Sequence, residues 1–123
     1  MGGIPLKTDK TLPRVTITVK RMKHGEILQE QYSGHEVRHL RESWHGVLQV
    51  EFESEDGMVT AVPVREILSD KPGERIILAD RRNNAALCAA DGSVRYRLVA
   101  EGDAAGRRWC RDVIRVEFME ESE

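Results

Sequence analysis

Cysteine is scarce in this chain: Cys88 and Cys110 are the only two. Two thiols exclude a disulfide-stapled scaffold, a four-thiolate zinc site and an iron–sulfur cluster held by four cysteines. Free cysteine packs as a small hydrophobe, so both are expected as part-buried thiols. Whether they are reduced or paired depends on the compartment and on facing Cβ atoms, which spacing does not reveal. Long apolar runs are also missing. Nothing approaches the roughly 20 residues of a bilayer-spanning helix, so no membrane span is expected. The stretch from Met1 to Arg14 lacks the apolar core of a leader and carries Lys7, Asp9 and Lys10. A cytoplasmic protein is expected from the sequence as it stands, or a periplasmic one if an upstream signal peptide has been trimmed. A basic excess is lacking too, since the net charge is −2. That balance argues against a nucleic-acid module, which would carry a marked cationic surplus. Neither an internal repeat nor a low-complexity segment is found.

What is present is an ordinary globular composition. The chain has 123 residues, 40% hydrophobic and 33% charged, enough for one core and one domain. Residues 1–13 hold turn formers and charges without periodicity and read as a flexible arm. Residues 14–119 read as the domain and 120–123 as an acidic tail. Val15, Ile17 and Val19 alternate with Thr16, Thr18 and Lys20, the period of a half-buried strand. Lys23-His24-Gly25 is a turn, and Glu26 to Tyr32 returns as a second strand. Ser33-Gly34-His35-Glu36 has the form of a capping box, and Val37, Leu40 and Trp44 follow at helical spacing as far as Gly46. Leu48, Val50 and Phe52 alternate with polar residues, and Asp56-Gly57 turns the chain into a partner strand, Met58 to Val62. Pro63 opens a short helix through Leu68. The run Ile76-Ile77-Leu78 is a buried strand. Turns at Lys71-Pro72-Gly73, Asn83-Asn84 and Asp91-Gly92 separate it from its neighbours. Val94, Tyr96 and Leu98, then Ile114, Val116 and Phe118, mark the last strands. Leu48, Val50, Phe52, Ile76, Leu78, Leu98, Ile114 and Val116 are expected in one core. The fold class expected is α+β, a mixed and mostly antiparallel strand-rich domain with two short helices.

One motif invites a metal. His35-Glu36-Val37-Arg38-His39 matches H-E-x-x-H, and His45 lies at the third-histidine position of the longer zinc signature. On a helix, histidines four apart share a face, with Glu36 placed to activate a water. Glu42, however, occupies the position where glycine bends the chain, and Arg38 would set a cation beside the metal. Glu36 also has a capping use. The motif is therefore read as chance spacing on a solvated helix face. A zinc hydrolase using His35, His39 and His45, with Glu36 as base, is the alternative.

The order of signals from Tyr32 onward points elsewhere. Val50 to Gly57 forms a strand entering a Ser-x-Asp-Gly turn, and Ala61 to Leu68 forms a short strand and helix. Ile77-Leu78-Ala79 and then Leu87 to Gly92 precede Tyr96-Arg97-Leu98-Val99. Arg107-Arg108-Trp109 leads into Ile114-Arg115-Val116. This succession resembles the small single-domain members of the oxidoreductase molybdopterin-binding family, whose fold is that of the central domain of sulfite oxidase. The resemblance implies that fold, and a phosphate-gripping role for Arg107, Arg108 and Arg111, since guanidinium binds phosphate bidentately. Catalytic members ligate molybdenum through a cysteine in the first half of the domain, and no cysteine precedes Cys88 here. Without that soft ligand the resemblance implies a degenerate, non-catalytic binding or accessory module with no cofactor. The partner expected is another protein or a small anionic ligand. A redox accessory domain that still binds molybdopterin through its arginines is the rival reading.

Overall fold

The computed structural model describes residues 4–5, 12–103 and 109–121. Among the described residues nine strands follow one another: β1 (Ile4–Pro5), β2 (Val15–Lys23), β3 (Glu26–Glu36), β4 (Val47–Ser54), β5 (Val59–Pro63), β6 (Ile76–Arg82), β7 (Ala85–Ala86), β8 (Tyr96–Ala100) and β9 (Cys110–Glu120). A single-turn helix, α1 (Val64–Ile67), follows β5, and a 3-10 turn spans Val37–His39. The strands form one antiparallel sheet in the order β2-β3-β6-β8-β9-β4-β5, with β1 on β9 and β7 on β6. Strand makes up 57% and helix 7%, so the α+β expectation is overturned: the domain is essentially all-β, a curled half-barrel. The sulfite oxidase-type layout with two helices falls with it. No helix among the described residues is long and apolar enough to cross a membrane.

The helix expected behind Ser33 fails for a long-range reason. β3 runs on through Glu36 because Gly34, His35 and Glu36 pair with Ala79, Leu78 and Ile77 of β6. Backbone pairing to a central strand outweighs the local preference of a capping tetrapeptide, whose gain is about 1 kcal/mol. Gly34 permits that approach, since a Cβ there would overlap the Leu78 carbonyl. Only the 3-10 turn remains of the helix. Val37 is still buried, and Leu40 and Trp44 pack on the core from an irregular segment, with Trp44 Nε1 donating to Arg38 O at 2.9 Å. Pro63, by contrast, does sit at the N-cap of α1.

Two cores lie on opposite faces of the sheet. The larger one gathers Val50, Phe52, Val62, Ile76, Leu78, Leu98 and Val116 under α1 and the Val37 turn. The smaller one holds Ile17, Val19, Tyr32, Ile77, Ala79 and Val99. β6 and β8 therefore serve both, their side chains alternating between faces. Six of the eight expected core residues are buried. The other two are exposed, Leu48 at 56% and Ile114 at 49%. Both are single extra residues at bulges: pairing of β4 with β9 steps from Val47↔Glu120 to Gln49↔Met119, and from Glu53↔Arg115 to Ser54↔Val113. An inserted residue reverses the alternation, so Val47 and Val113 point inward instead. From the 1–13 arm, Ile4 and Pro5 pair with Val116 and Arg115. From the acidic tail, Glu120 ends β9 and the Glu121 amide donates to Gly46 O at 2.7 Å.

Candidate functional site

The smaller core gives way to charge at one end. Beyond Val19 the same face of β2 carries Arg21 and Lys23, and beyond Tyr32 the same face of β3 carries Glu30. Arg82 of β6 stands opposite Tyr32, and Arg97 of β8 opposite Ala79. Arg111 follows Trp109 two residues on at the start of β9. Together Arg21, Lys23, Glu30, Arg82, Arg97 and Arg111 line a groove of about 180 Å³.

Glu30 organises it. The carboxylate is buried, 8% exposed, and Oε2 lies 2.6 Å from Arg82 Nη2 while Oε1 lies 3.6 Å from Arg21 Nη1. The Tyr32 hydroxyl donates to Oε1 at 3.4 Å and accepts from Arg97 Nη1 at 3.0 Å. A buried carboxylate must be paired, and here its partners are held by rings as well as charge. The Arg21 guanidinium lies over the Trp109 ring, 4.7 Å from its centroid, and Trp109 meets Tyr32 edge to face at 5.4 Å. Trp109 Nε1 is itself tied to Ala100 O at 3.1 Å. One carboxylate thus fixes Arg21, Arg82 and, through Tyr32, Arg97. Among the described residues, Lys23, Arg97 and Arg111 have no ion-pair partner. Five cations therefore converge over one anion.

A second cleft, of about 420 Å³, adjoins through Arg111, which lines both. Its walls include Ser54, Asp56, Met58, Thr60 and Trp109. The β4–β5 turn supplies most of them. Asp56 Oδ1 accepts from the Met58 amide at 3.1 Å and from the Ser54 hydroxyl, and these donors hold its carboxyl below the ordinary range. Across the cleft Asp112 adopts a left-handed φ of 49°, and its carbonyl accepts from Glu55 N at 3.0 Å. Cys110 faces inward, its thiol donating to Phe52 O at 3.8 Å, and burial pushes its pKa up.

The residues expected from sequence are dispersed. Arg111 lies in the groove; Arg107 and Arg108 lie outside the described residues. His35 is buried in β3, its Nδ1–H donating to Pro13 O at 2.9 Å. His39 belongs to the 3-10 turn, and its Nδ1 is buried with no partner among the described residues. His45 is exposed beyond it. The helix that would set His35 and His39 on one face, with Glu36 beside them, is not formed, and no group of three or more metal-ligating side chains occurs among the described residues. Cys110 belongs to the larger core and also lines the 420 Å³ cleft, the free Cys88 is exposed on the 87–95 segment, and neither lines the groove. Sequence reasoning missed Arg21, Lys23, Glu30, Arg82 and Arg97. The available signal was alternation: Val19-x-Arg21-x-Lys23 and Glu30-x-Tyr32 each break an apolar face with charge. Comparisons with family models, with curated proteins and with solved structures give no match for this chain.

Proposed function

We propose that this chain is a non-catalytic binding module that takes a small anionic ligand in the groove between Arg21, Arg82, Arg97 and Arg111. One observation carries the reading: five cations converge on a groove organised by the single buried carboxylate of Glu30, in a chain of net charge −2. Such segregation is not needed for folding, because like charges held together repel. Guanidinium groups fixed from behind by a carboxylate and a tyrosine hydroxyl lose less freedom when they grip phosphate or carboxylate oxygens. Each charged hydrogen bond so made contributes about 1.5–3 kcal/mol before the ordering cost is subtracted.

Calorimetric titration with inorganic phosphate and pyrophosphate tests this directly. Saturable one-to-one binding that weakens as salt is raised is expected, because partly exposed charges are screened. Replacing Arg97 and Arg111 together by Ala should abolish it while leaving the thermal midpoint within a few degrees. Wild-type protein that fails to bind either anion, or a double variant that binds as well as wild type, would refute the proposal.

A further inference from the structure

The groove and the Trp109 cleft differ in size and in charge, and they meet at one side chain. The groove, about 180 Å³, accommodates an anionic group and little more. The adjoining cleft, about 420 Å³, is of the size that encloses the body of a small organic ligand. Its character differs from the groove's: Met58, Thr60 and the indole of Trp109 supply apolar contact, Asp56 and Asp112 bring negative charge, and Glu55 is paired with Arg95. We infer that the ligand is bipartite, an anionic head in the arginine groove joined to a neutral planar body lodged against Trp109, with Arg111 at the junction. The inference rests on the anion reading above and deepens it.

Three features support that division. The indole is held at its nitrogen by Ala100 O, on one face by Arg21 and in a T-shaped contact by Tyr32, so it is a fixed wall of the cleft. Asp56 is also held in place, the Ser54 hydroxyl and the Met58 amide both donating to Oδ1, and among the described residues no side chain donates to Oδ2, which can accept an N–H or O–H from the ligand's body. The acidic side chains would repel a second anionic group from the cleft, so the charge pattern orients the ligand with only its head among the arginines. Trp109, Arg111 and Asp112, the last at a left-handed φ of 49°, line the cleft together with the β4–β5 turn. A ligand with an aromatic ring joined to a phosphate directly, as in phenyl phosphate, or through a sugar, as in a nucleotide, has both parts.

The experiment compares inorganic phosphate, phenyl phosphate and adenosine monophosphate by calorimetry on the full chain. Phenyl phosphate and the nucleotide are expected to bind at least tenfold more tightly than phosphate. In a Trp44→Phe background, where Trp109 is the only indole, the nucleotide should quench its fluorescence and phosphate should not. Met58 is exposed, so Met58→Trp can narrow the cleft with little risk to folding. It should remove the tenfold gain and leave phosphate binding unchanged. Equal affinity for phosphate and phenyl phosphate would overturn the bipartite ligand while the anion groove stands. An unchanged gain in Met58→Trp, with no quenching, would also overturn it. Absence of binding by all three probes would defeat the groove itself and this inference with it.

Discussion

The two faces of the sheet use the same central strands for different ends. On one face, Phe52, Val50, Leu98 and Val116 close an apolar core. On the other, Ile17, Val19, Tyr32 and Val99 begin a core that is abandoned at Glu30. Burying a carboxylate with three organised arginines is rarely the most stable solution, and apolar residues of similar volume would often do better. The larger face therefore supplies the stability that allows the smaller one to keep a charged, ligand-ready end.

Substitutions on the two faces should separate these roles. The largest effect belongs to Phe52→Ala, which empties a fully buried position and should cost about 3–5 kcal/mol in urea unfolding. A loss below about 1 kcal/mol would mean that the apolar face does not bear the stability. On the charged face, Glu30→Gln should cost about 1–3 kcal/mol, less than for a deeper pair because Arg21 and Arg82 remain partly exposed. The same variant should bind phosphate more weakly, because Arg21 and Arg82 lose the carboxylate that fixes them. Unchanged or tighter phosphate binding would mean that Glu30 does not pre-organise the groove.

Smaller effects sharpen the contrast with the periphery. Arg75 donates twice to Glu101, at 3.0 Å from Nε and from Nη2, and this partner holds the Glu101 carboxyl below its ordinary range. A depressed carboxylate stabilises the fold above its unfolded pKa and loses that contribution as pH falls through the folded value. The thermal midpoint should therefore drop in acid more steeply in wild type than in Glu101→Gln. A double-mutant cycle should give no more than about 1 kcal/mol, because Arg75 is 41% exposed. The smallest effect is expected at the bulges: Leu48→Ala and Ile114→Ala should each change stability by about 0.5 kcal/mol or less. A cost above about 2 kcal/mol at either would restore the unbroken alternation and place that side chain in the core.

Local chemistry accounts for what was legible before the fold was known. The β2–β3 hairpin is written in the β-branched alternation of Val15 to Val19 and in His24-Gly25, both at positive φ. Asp56-Gly57, Asn83-Asn84 and Pro63 likewise act within a few residues of themselves. Ser33-x-x-Glu36 misled for the same reason: it is a sound local signal, overruled by β6, which lies more than forty positions away.

The residues themselves settled most of the strand segments, where most turns fall and that Phe52 and Val50 are buried, because side-chain period and turn chemistry act along the chain. Tertiary structure alone decided which strands are neighbours and where the register slips. Leu48 and Ile114 turned outward because bulges insert one residue, and alternation cannot foresee an insertion. Arg21, Glu30, Arg82, Arg97 and Arg111 are ordinary surface charges when read in order. They become one site only because β3, β6, β8 and β9 are placed side by side, and pairing between distant strands depends on the whole sheet closing its cores at once.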